Sequence, residues 1–200
     1  MKKHLKNCLL TLISFQLFIH QSIASENYPQ VEIVTTSGSF IIELDRNRAP
    51  LSVENFLSYV EEGFYENTIF HRVIEGFVIQ AGGYTTEFGE KKTKPDIANE
   101  SGNGLKNRRM YLGMARSNEP HTASSQFYIN LVDNFSLDPM PTRWGYTVFG
   151  EVISGFEVVD AIGQSATQTF QGLNDVPVAP IIILEVNKCT SKQITNIGTC

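Results

Sequence analysis

The sequence predicts an all-β barrel with helices, in which about eight antiparallel strands close on themselves and two α-helices complete the domain. Most of the chain consists of short apolar segments of strand length, separated by turns that often contain glycine. Only two segments carry apolar residues at helical spacing. Closure into a barrel removes the exposed edges that so many short strands would otherwise leave.

Four of the strands are predicted as two hairpins. VEIVTTSGSFIIELD places Ser37 and Gly38 in its turn, and IFHRVI and FVIQA flank a turn at Glu75 and Gly76. The remaining strands are MYLGMAR (110–116), SQFYINL (125–131), YTVFGEVI (146–153) and PIIILEVN (180–187). The polar stretch Gly83–Arg109 is predicted to be a long surface loop, and long loops in compact domains are usually functional.

The better helix candidate is SVENFLSYVEEG, with Ser52 as its capping residue and Gly63 at its end. Its apolar stripe consists of Val53, Phe56, Leu57 and Val60. A shorter candidate covers Ser154–Gly163. We expect bulky side chains to fill the barrel, among them Phe40, Ile42, Phe56, Phe149 and Ile182. A filled barrel argues against one class of function, that of a carrier that binds small molecules in a hollow lumen.

The first 24 residues have the pattern of a cleaved secretory signal peptide. A basic start is followed by an apolar core of 12 residues, CLLTLISFQLFI, and by small residues at Ser22 and Ala24. The core is shorter than the ~20 residues that a membrane span needs, although an uncleaved anchor is the alternative. We therefore predict a signal peptide (1–24), one domain (25–190) and a C-terminal tail (191–200), in the periplasm or outside the cell.

The mature chain would be acidic. The full chain has 16 basic and 21 acidic side chains, and loss of the three lysines of the signal leaves 13 against 21, a net charge of −8. Such a chain has no basic field for nucleic acid, and no mature segment approaches a membrane span. Cys189 and Cys200 remain after cleavage, and an even count in an exported protein favours a disulfide over two unpaired thiols.

Four polar side chains occur in strands that are otherwise apolar and aromatic: Arg72, Gln80, Arg116 and Gln126. The strand pattern leaves open which face Arg72 takes, because both faces carry apolar residues. Arg72 either serves a bound ligand, or it has a structural role in which it extends from the barrel wall into solvent or pairs with Glu75. The chain has no nucleophile elbow, P-loop or His-Glu-x-x-His motif, and its two mature histidines are too few for a histidine-rich metal site.

Three long motifs decide between these alternatives: FHRVIEGFVIQAGG, GMARSNEPHTASSQFYINLVDN and YTVFGEVISGFEVVDAI. They closely resemble the cyclophilin family of peptidyl-prolyl cis–trans isomerases, and the likeness covers nearly all of Val31–Lys188 in family order. The signal peptide and the compact stretch KPDIANESGNGLKNRRMYLGMAR (94–116) most resemble the bacterial periplasmic branch. The resemblance implies an eight-stranded barrel capped by two helices, with the substrate groove on its outer surface.

The resemblance also implies roles for individual residues. Arg72 matches the catalytic arginine, Gln80 the glutamine that orients it, and His71 a neighbour that supports it. The walls of the proline pocket would be Phe77, Val78, Tyr128 and Leu137. Ala115, Arg116 and Gln126 match positions that pair with the peptide backbone, with Arg116 using only its main chain. Tyr146 replaces a frequent histidine, and its hydroxyl can still donate to a peptide carbonyl. No metal or cofactor is implied.

One departure from the family concerns the drug cyclosporin. The position where sensitive members carry tryptophan aligns with Ser136, or with Phe135 if the alignment shifts, while the sole tryptophan is Trp144. We therefore expect weak cyclosporin binding. The implied partners are proline-containing segments of unfolded or folding exported proteins, and we expect a monomer. The alternative function is a non-catalytic chaperone that binds proline peptides on the same fold.

Overall fold

The computed structural model describes residues 26–189, so the predicted signal peptide (1–24) and tail (191–200) lie outside the described residues. The helices are α1 (Pro50–Glu61) and α2 (Phe156–Gly163), and a 3-10 turn covers Phe135–Leu137. The strands are β1 (Gln30–Thr35), β2 (Gly38–Leu44), β3 (Thr68–Ile74), β4 (Val78–Thr85), β5 (Tyr111–Met114), β6 (Phe127–Asn130), β7 (Val148–Ser154), β8 (Thr167–Phe170), β9 (Leu173–Pro177) and β10 (Ile182–Lys188).

Eight of these strands form the predicted closed antiparallel barrel. Their order around it is β1, β10, β3, β4, β6, β5, β7, β2, and β2 pairs again with β1. The other two, β8 and β9, form a separate hairpin that the predicted strands do not include. Its turn contains Gln171 and Gly172, both in the left-handed region, with φ of 49° and 82°.

The interior of the barrel is a packed aromatic core. The ring centroid of Phe56 on α1 lies 5.1 Å from that of Tyr65 and 5.5 Å from those of Phe127 and Phe149. Rings at these separations fill the lumen with side chains, as in other small barrels. The packing agrees with a filled barrel and not with a carrier's cavity.

One predicted core residue is wrong. Ile182 is half-buried, whereas Ile181 and Ile183 take the buried positions on either side of it. The run Ile181–Leu184 is apolar throughout, so its sequence contains no alternation from which the inward face could be read.

The first helix begins three residues earlier than predicted, because its N-cap position is occupied by Ala49 and not by Ser52. Pro50 occupies the first turn, where its missing N–H costs nothing. The carboxylate of Glu100 accepts hydrogen bonds from the N–H of Leu51 (3.0 Å), the N–H of Ser52 (2.8 Å) and the Ser52 hydroxyl (2.7 Å). The long loop therefore provides the acceptors and the negative charge that a helix N-terminus favours.

The C-terminal end of the barrel is fixed to its first strand. The N–H of Cys189 donates to the Gln30 carbonyl at 2.9 Å, and Cys189 is disulfide-bonded. Its predicted partner, Cys200, lies outside the described residues, so the pairing stays a prediction. Between residues 26 and 189, none of the helices combines the length and the hydrophobicity needed to cross a membrane.

Candidate active site

Arg72, Gln80 and Tyr128 lie on adjacent strands and face the outside of the barrel. Arg72 of β3 pairs with Gln80 of β4, which in turn pairs with Tyr128 of β6. Val73 and Ile79, their neighbours along the strands, belong to the buried core. Because successive residues of a strand point to opposite faces, Arg72 and Gln80 point outward. This pairing fixes the face of Arg72, which the strand pattern left open.

These side chains contribute to a surface cavity of about 200 Å³. Its lining consists of Arg72, Phe77, Val78, Gln80, Ala115, Arg116, Tyr128, Leu137 and Tyr146. An adjoining cavity of about 320 Å³ contains the other two predicted residues, His71 and Gln126, and shares Arg72 and Gln80 with the first. The structure thus brings all eleven predicted residues together. We call the first cavity the proline pocket and the second the hairpin pocket.

The guanidinium of Arg72 is held from two sides. Its Nη1 donates to Oε1 of Gln80 at 3.3 Å, and Nε2 of Gln80 donates to Oε1 of Gln126 at 2.8 Å. On the other side, Nε of Arg72 lies 3.8 Å from Oδ2 of Asp175 on β9. The ionic partner of Arg72 is therefore Asp175, and the alternative pairing with Glu75 is wrong.

His71 is a neutral histidine beneath this site. Its side chain is buried, and its ring centroid lies 4.7 Å from that of Tyr84. Burial disfavours the charged imidazolium and, with a further contribution from the positive charge of Arg72, lowers the pKa of His71 to about 4. At neutral pH, His71 therefore adds no positive charge beside Arg72.

We expect this histidine to make the fold sensitive to acid. The unfolded chain binds a proton at a pKa near ~6.5 and the folded chain only at about 4, so protons favour unfolding in between. The stability is fully present above about pH 6.5 and falls as the pH falls, with a loss of about 2 kcal/mol by about pH 4.5. The free energy of unfolding, obtained by urea unfolding of the parent and of His71→Gln between about pH 6.5 and about pH 4.5, measures this loss. His121→Gln is the control, and equal losses in the parent and His71→Gln would contradict the prediction.

Two buried asparagines connect three walls of the proline pocket from behind. The Tyr128 hydroxyl donates to Oδ1 of Asn107 at 2.6 Å, and Asn107 donates through its N–H and Nδ2 to Asp138, the neighbour of Leu137. Nδ2 of Asn134 donates to the Phe77 carbonyl at 2.9 Å. Burial raises the pKa of Tyr128, which keeps the hydroxyl protonated as a donor. Neither asparagine is among the site residues predicted from the sequence.

The side chain of Arg116 ties two loops together at the rim of the pocket, although the sequence assigned it only a main-chain role. Its guanidinium carbon lies 4.3 Å from the centroid of the Tyr146 ring, a cation–π contact. Its nitrogens donate at 2.9–3.3 Å to the carbonyl oxygens of Ser117, Asn118, Trp144 and Gly145. Arg116 thereby fixes Tyr146 as a wall of the pocket.

Replacing Arg116 with lysine is expected to raise KM about fivefold with a smaller change in kcat. Lysine keeps the charge but lacks the planar fork, and the loss of hydrogen bonds worth about 1 kcal/mol corresponds to that factor. Steady-state kinetics with a proline peptide measures the effect. The control is Arg109→Lys, because Arg109 pairs with Asp160 of α2 away from both pockets. An unchanged KM, or an equal rise in the control, would show that the contacts of Arg116 do not shape the pocket.

The hairpin pocket also contains residues that no sequence motif indicated. These are Tyr84, Gly172, Leu173 and Asn174. A signal for the hairpin exists in TQTFQGLNDV, where a Gln-Gly turn separates two short stretches of strand character. Tyr84 belongs to the predicted loop Gly83–Arg109, whose first three residues are in fact the end of β4. Other residues of this segment line a third cavity of about 510 Å³ that also contains Gln126.

Comparison with known proteins identifies the family. The family model for cyclophilin type peptidyl-prolyl cis-trans isomerase/CLD matches residues 30–188, which include all ten strands and both helices. The chain belongs to this family. Peptidyl-prolyl cis–trans isomerisation is accordingly its activity, and the closed barrel with two helices is the family's fold.

Relatives of this isomerase agree with the assignment. It is 49% identical over 156 residues to peptidyl-prolyl cis-trans isomerase B of Escherichia coli (strain K12), covering 76% of this chain and 94% of that protein. It is 42% identical over 183 residues to peptidyl-prolyl cis-trans isomerase A of Dickeya dadantii (strain 3937), covering 92% and 96%. A crystal structure of a Cryptosporidium parvum cyclophilin type isomerase in the presence of the dipeptide Ala-Pro has a TM-score of 0.68 at 30% identity, covering 81% of this chain and 99% of that one.

Proposed function

We propose that this isomerase stabilises the twisted X–Pro amide with Arg72, and that its substrates are unfolded or folding exported polypeptides. Rotation about the amide is slow because resonance gives it a barrier of ~18–20 kcal/mol. Twisting localises a lone pair on the prolyl nitrogen. A cationic donor that points at this nitrogen binds the twisted amide better than the planar one, which is what catalysis requires.

The observation that carries this proposal is the position of Arg72 in the wall of the proline pocket. Arginine stays charged at every relevant pH, and its planar fork offers donors to both the prolyl nitrogen and a substrate carbonyl. The chain of hydrogen bonds from Arg72 through Gln80 to Gln126 orients it before the substrate arrives. A donor oriented in advance needs little reorganisation during the reaction, which is the condition for a large electrostatic effect.

The other walls of the pocket suit a prolyl ring. Phe77, Val78 and Leu137 present apolar surface, and the buried Tyr128 closes the floor while its hydroxyl is directed to Asn107. The pocket lies on the outer surface, so a long polypeptide can cross it without threading its ends. The related isomerase solved in the presence of Ala-Pro supports a proline dipeptide as the minimal ligand of this chain as well.

The proposed site of action, the periplasm or the cell exterior, rests on the N-terminal pattern of residues 1–24. Cell fractionation, together with N-terminal sequencing of the mature protein, tests it. We expect a soluble extracytoplasmic protein that begins at Ser25. A cytoplasmic protein that retains Met1, or one that stays membrane-bound, would contradict this localisation.

We also propose that cyclosporin binds weakly. Ser136 and Phe135 stand in the 3-10 turn beside Leu137, and neither offers the indole N–H of a tryptophan donor. Trp144 lies instead against His121, with ring centroids 5.2 Å apart. Calorimetric titration of the parent and of Ser136→Trp tests this. We expect the variant to bind cyclosporin more tightly, and tight binding by the parent would contradict the proposal.

The folding role is tested on a protein whose slow refolding phase is limited by a prolyl bond. We expect this isomerase to accelerate that phase when present at a hundredth of the substrate concentration, because each molecule acts repeatedly. Arg72→Ala is the matched variant and should lose most of the acceleration. An effect that requires stoichiometric amounts, and that Arg72→Ala retains, would instead support a non-catalytic chaperone that binds proline segments.

A further inference from the structure

The hairpin of β8 and β9 lines a second cavity beside the proline pocket. Its residues Gly172–Asn174 line the hairpin pocket together with Arg72 and Gln80, which also line the proline pocket. The two cavities therefore share a wall. A polypeptide with its proline in the first cavity would have its neighbouring residues at the mouth of the second.

Asp175 places a carboxylate beside this second cavity. It follows Asn174 on β9, its side chain is 41% exposed, and its Oδ2 lies 3.8 Å from Nε of Arg72. An ionised carboxylate has about four acceptor positions, so a single ion pair does not saturate it. A carboxylate with this exposure can hold Arg72 and a second cation together.

The backbone does not explain the charge at this position. Asp175 has a φ of 60°, in the left-handed region, which glycine and asparagine adopt at least as readily as aspartate.

The charges around the hairpin pocket leave Asp175 available to a cation. His71, in the wall of this pocket, is neutral at physiological pH, and the charge of Arg72 is balanced by Asp175 itself. Burial, with a further contribution from the carboxylate of Glu90, raises the pKa of Tyr84, another residue that lines this pocket. Asp175, Glu90 and Arg72 together carry a net charge of −1, which favours a positively charged side chain and disfavours a negatively charged one.

We propose that Asp175 is a specificity-determining residue that makes this isomerase prefer prolines with a lysine or arginine close by, on the side of the hairpin. The inference rests on the proposed function and deepens it. An ion pair between partly exposed groups contributes up to about 1 kcal/mol, so the preference for lysine over glutamate is expected to be about twofold to fivefold in kcat/KM.

The experiment uses Ala-Pro peptides that carry lysine, glutamine or glutamate within two residues of the proline, on either side. NMR exchange gives kcat/KM for each at low salt with the parent protein, Asp175→Asn and Glu157→Gln. Glu157 is an exposed carboxylate on α2 outside both pockets, so its variant removes the same charge elsewhere. We compare the lysine-to-glutamate ratio within each protein, which cancels any general change in activity.

For peptides with the charged residue on one side of the proline, we expect the lysine-to-glutamate ratio of kcat/KM to exceed one in the parent and in Glu157→Gln. We expect the same ratio to fall towards one in Asp175→Asn, and at high salt in every protein. A ratio that Asp175→Asn leaves unchanged, or that Glu157→Gln lowers equally, would overturn the specificity inference alone. A parent protein that fails to accelerate exchange even of the glutamine peptide would overturn the proposed function and the inference together.

Discussion

Arg72→Ala is expected to lower kcat for an Ala-Pro peptide about a hundredfold to a thousandfold, while peptide affinity changes little. The magnitude is that of removing one oriented donor from a site where charge develops in the transition state. The affinity is retained because the apolar walls and the strand edge that bind the peptide remain in place. A protease-coupled assay, which cleaves only the trans peptide, measures the rate.

Arg72→Lys distinguishes charge from geometry. Lysine keeps a positive charge, but Gln80 cannot orient its flexible ammonium as it orients the guanidinium of Arg72. We therefore expect a rate between those of the parent and Arg72→Ala. Circular dichroism should show both variants folded, because the Arg72 side chain is 38% exposed and outside the core. A folded Arg72→Ala protein with at least a third of the parent's kcat would rule out Arg72 as the main source of catalysis.

Gly113→Ala is expected to reduce stability by about 1–3 kcal/mol and kcat/KM about a hundredfold. Gly113 of β5 lies opposite Tyr128 in the ladder, and the Tyr128 ring passes directly over it. A Cβ at this position would lie 2.2 Å from Cζ and from the hydroxyl oxygen of Tyr128. The ring must move, which breaks its hydrogen bond to Asn107 and deforms the floor of the proline pocket.

Urea unfolding and peptide kinetics test this effect together. Gly102→Ala is the matched control, since a Cβ there meets no atom within 4 Å among the described residues. We expect the control to behave like the parent in both measurements. If Gly113→Ala unfolds at the parent's urea concentration and keeps its kcat/KM, then the position of the Tyr128 ring does not control the pocket.

The barrel strands were predictable because their apolar segments are separated by clear turns. The turn at Glu75-Gly76 is followed by the antiparallel pair that the pattern predicts. The first hairpin also forms, but it turns at Thr36 and Ser37, one residue earlier than predicted, because Gly38 already pairs with Thr35. The run Ile181–Leu184 shows where such a pattern fails, since an all-apolar strand gives no information about its inward face.

The site was predictable only through family resemblance. The alternation around Arg72 is ambiguous, and its outward face follows from pairing with β4, a long-range property that the pattern of one strand does not contain. The cap of α1 shows the same limit, because Glu100 is 48 residues from Ser52 along the chain. Contacts of this kind also explain why Asp175, Asn107 and the side chain of Arg116 were missed.

Catalysis by Arg72 requires that it bind the twisted amide more tightly than the planar one. It is tested most directly by measuring cis–trans exchange of a saturating Ala-Pro peptide by two-dimensional NMR, with the parent and Arg72→Ala, while chemical-shift titration gives each dissociation constant. We expect similar dissociation constants and an exchange rate in the bound state that falls about a hundredfold or more in the variant. Similar bound-state rates in the two proteins, or a parent that binds the peptide without accelerating its exchange, would contradict it.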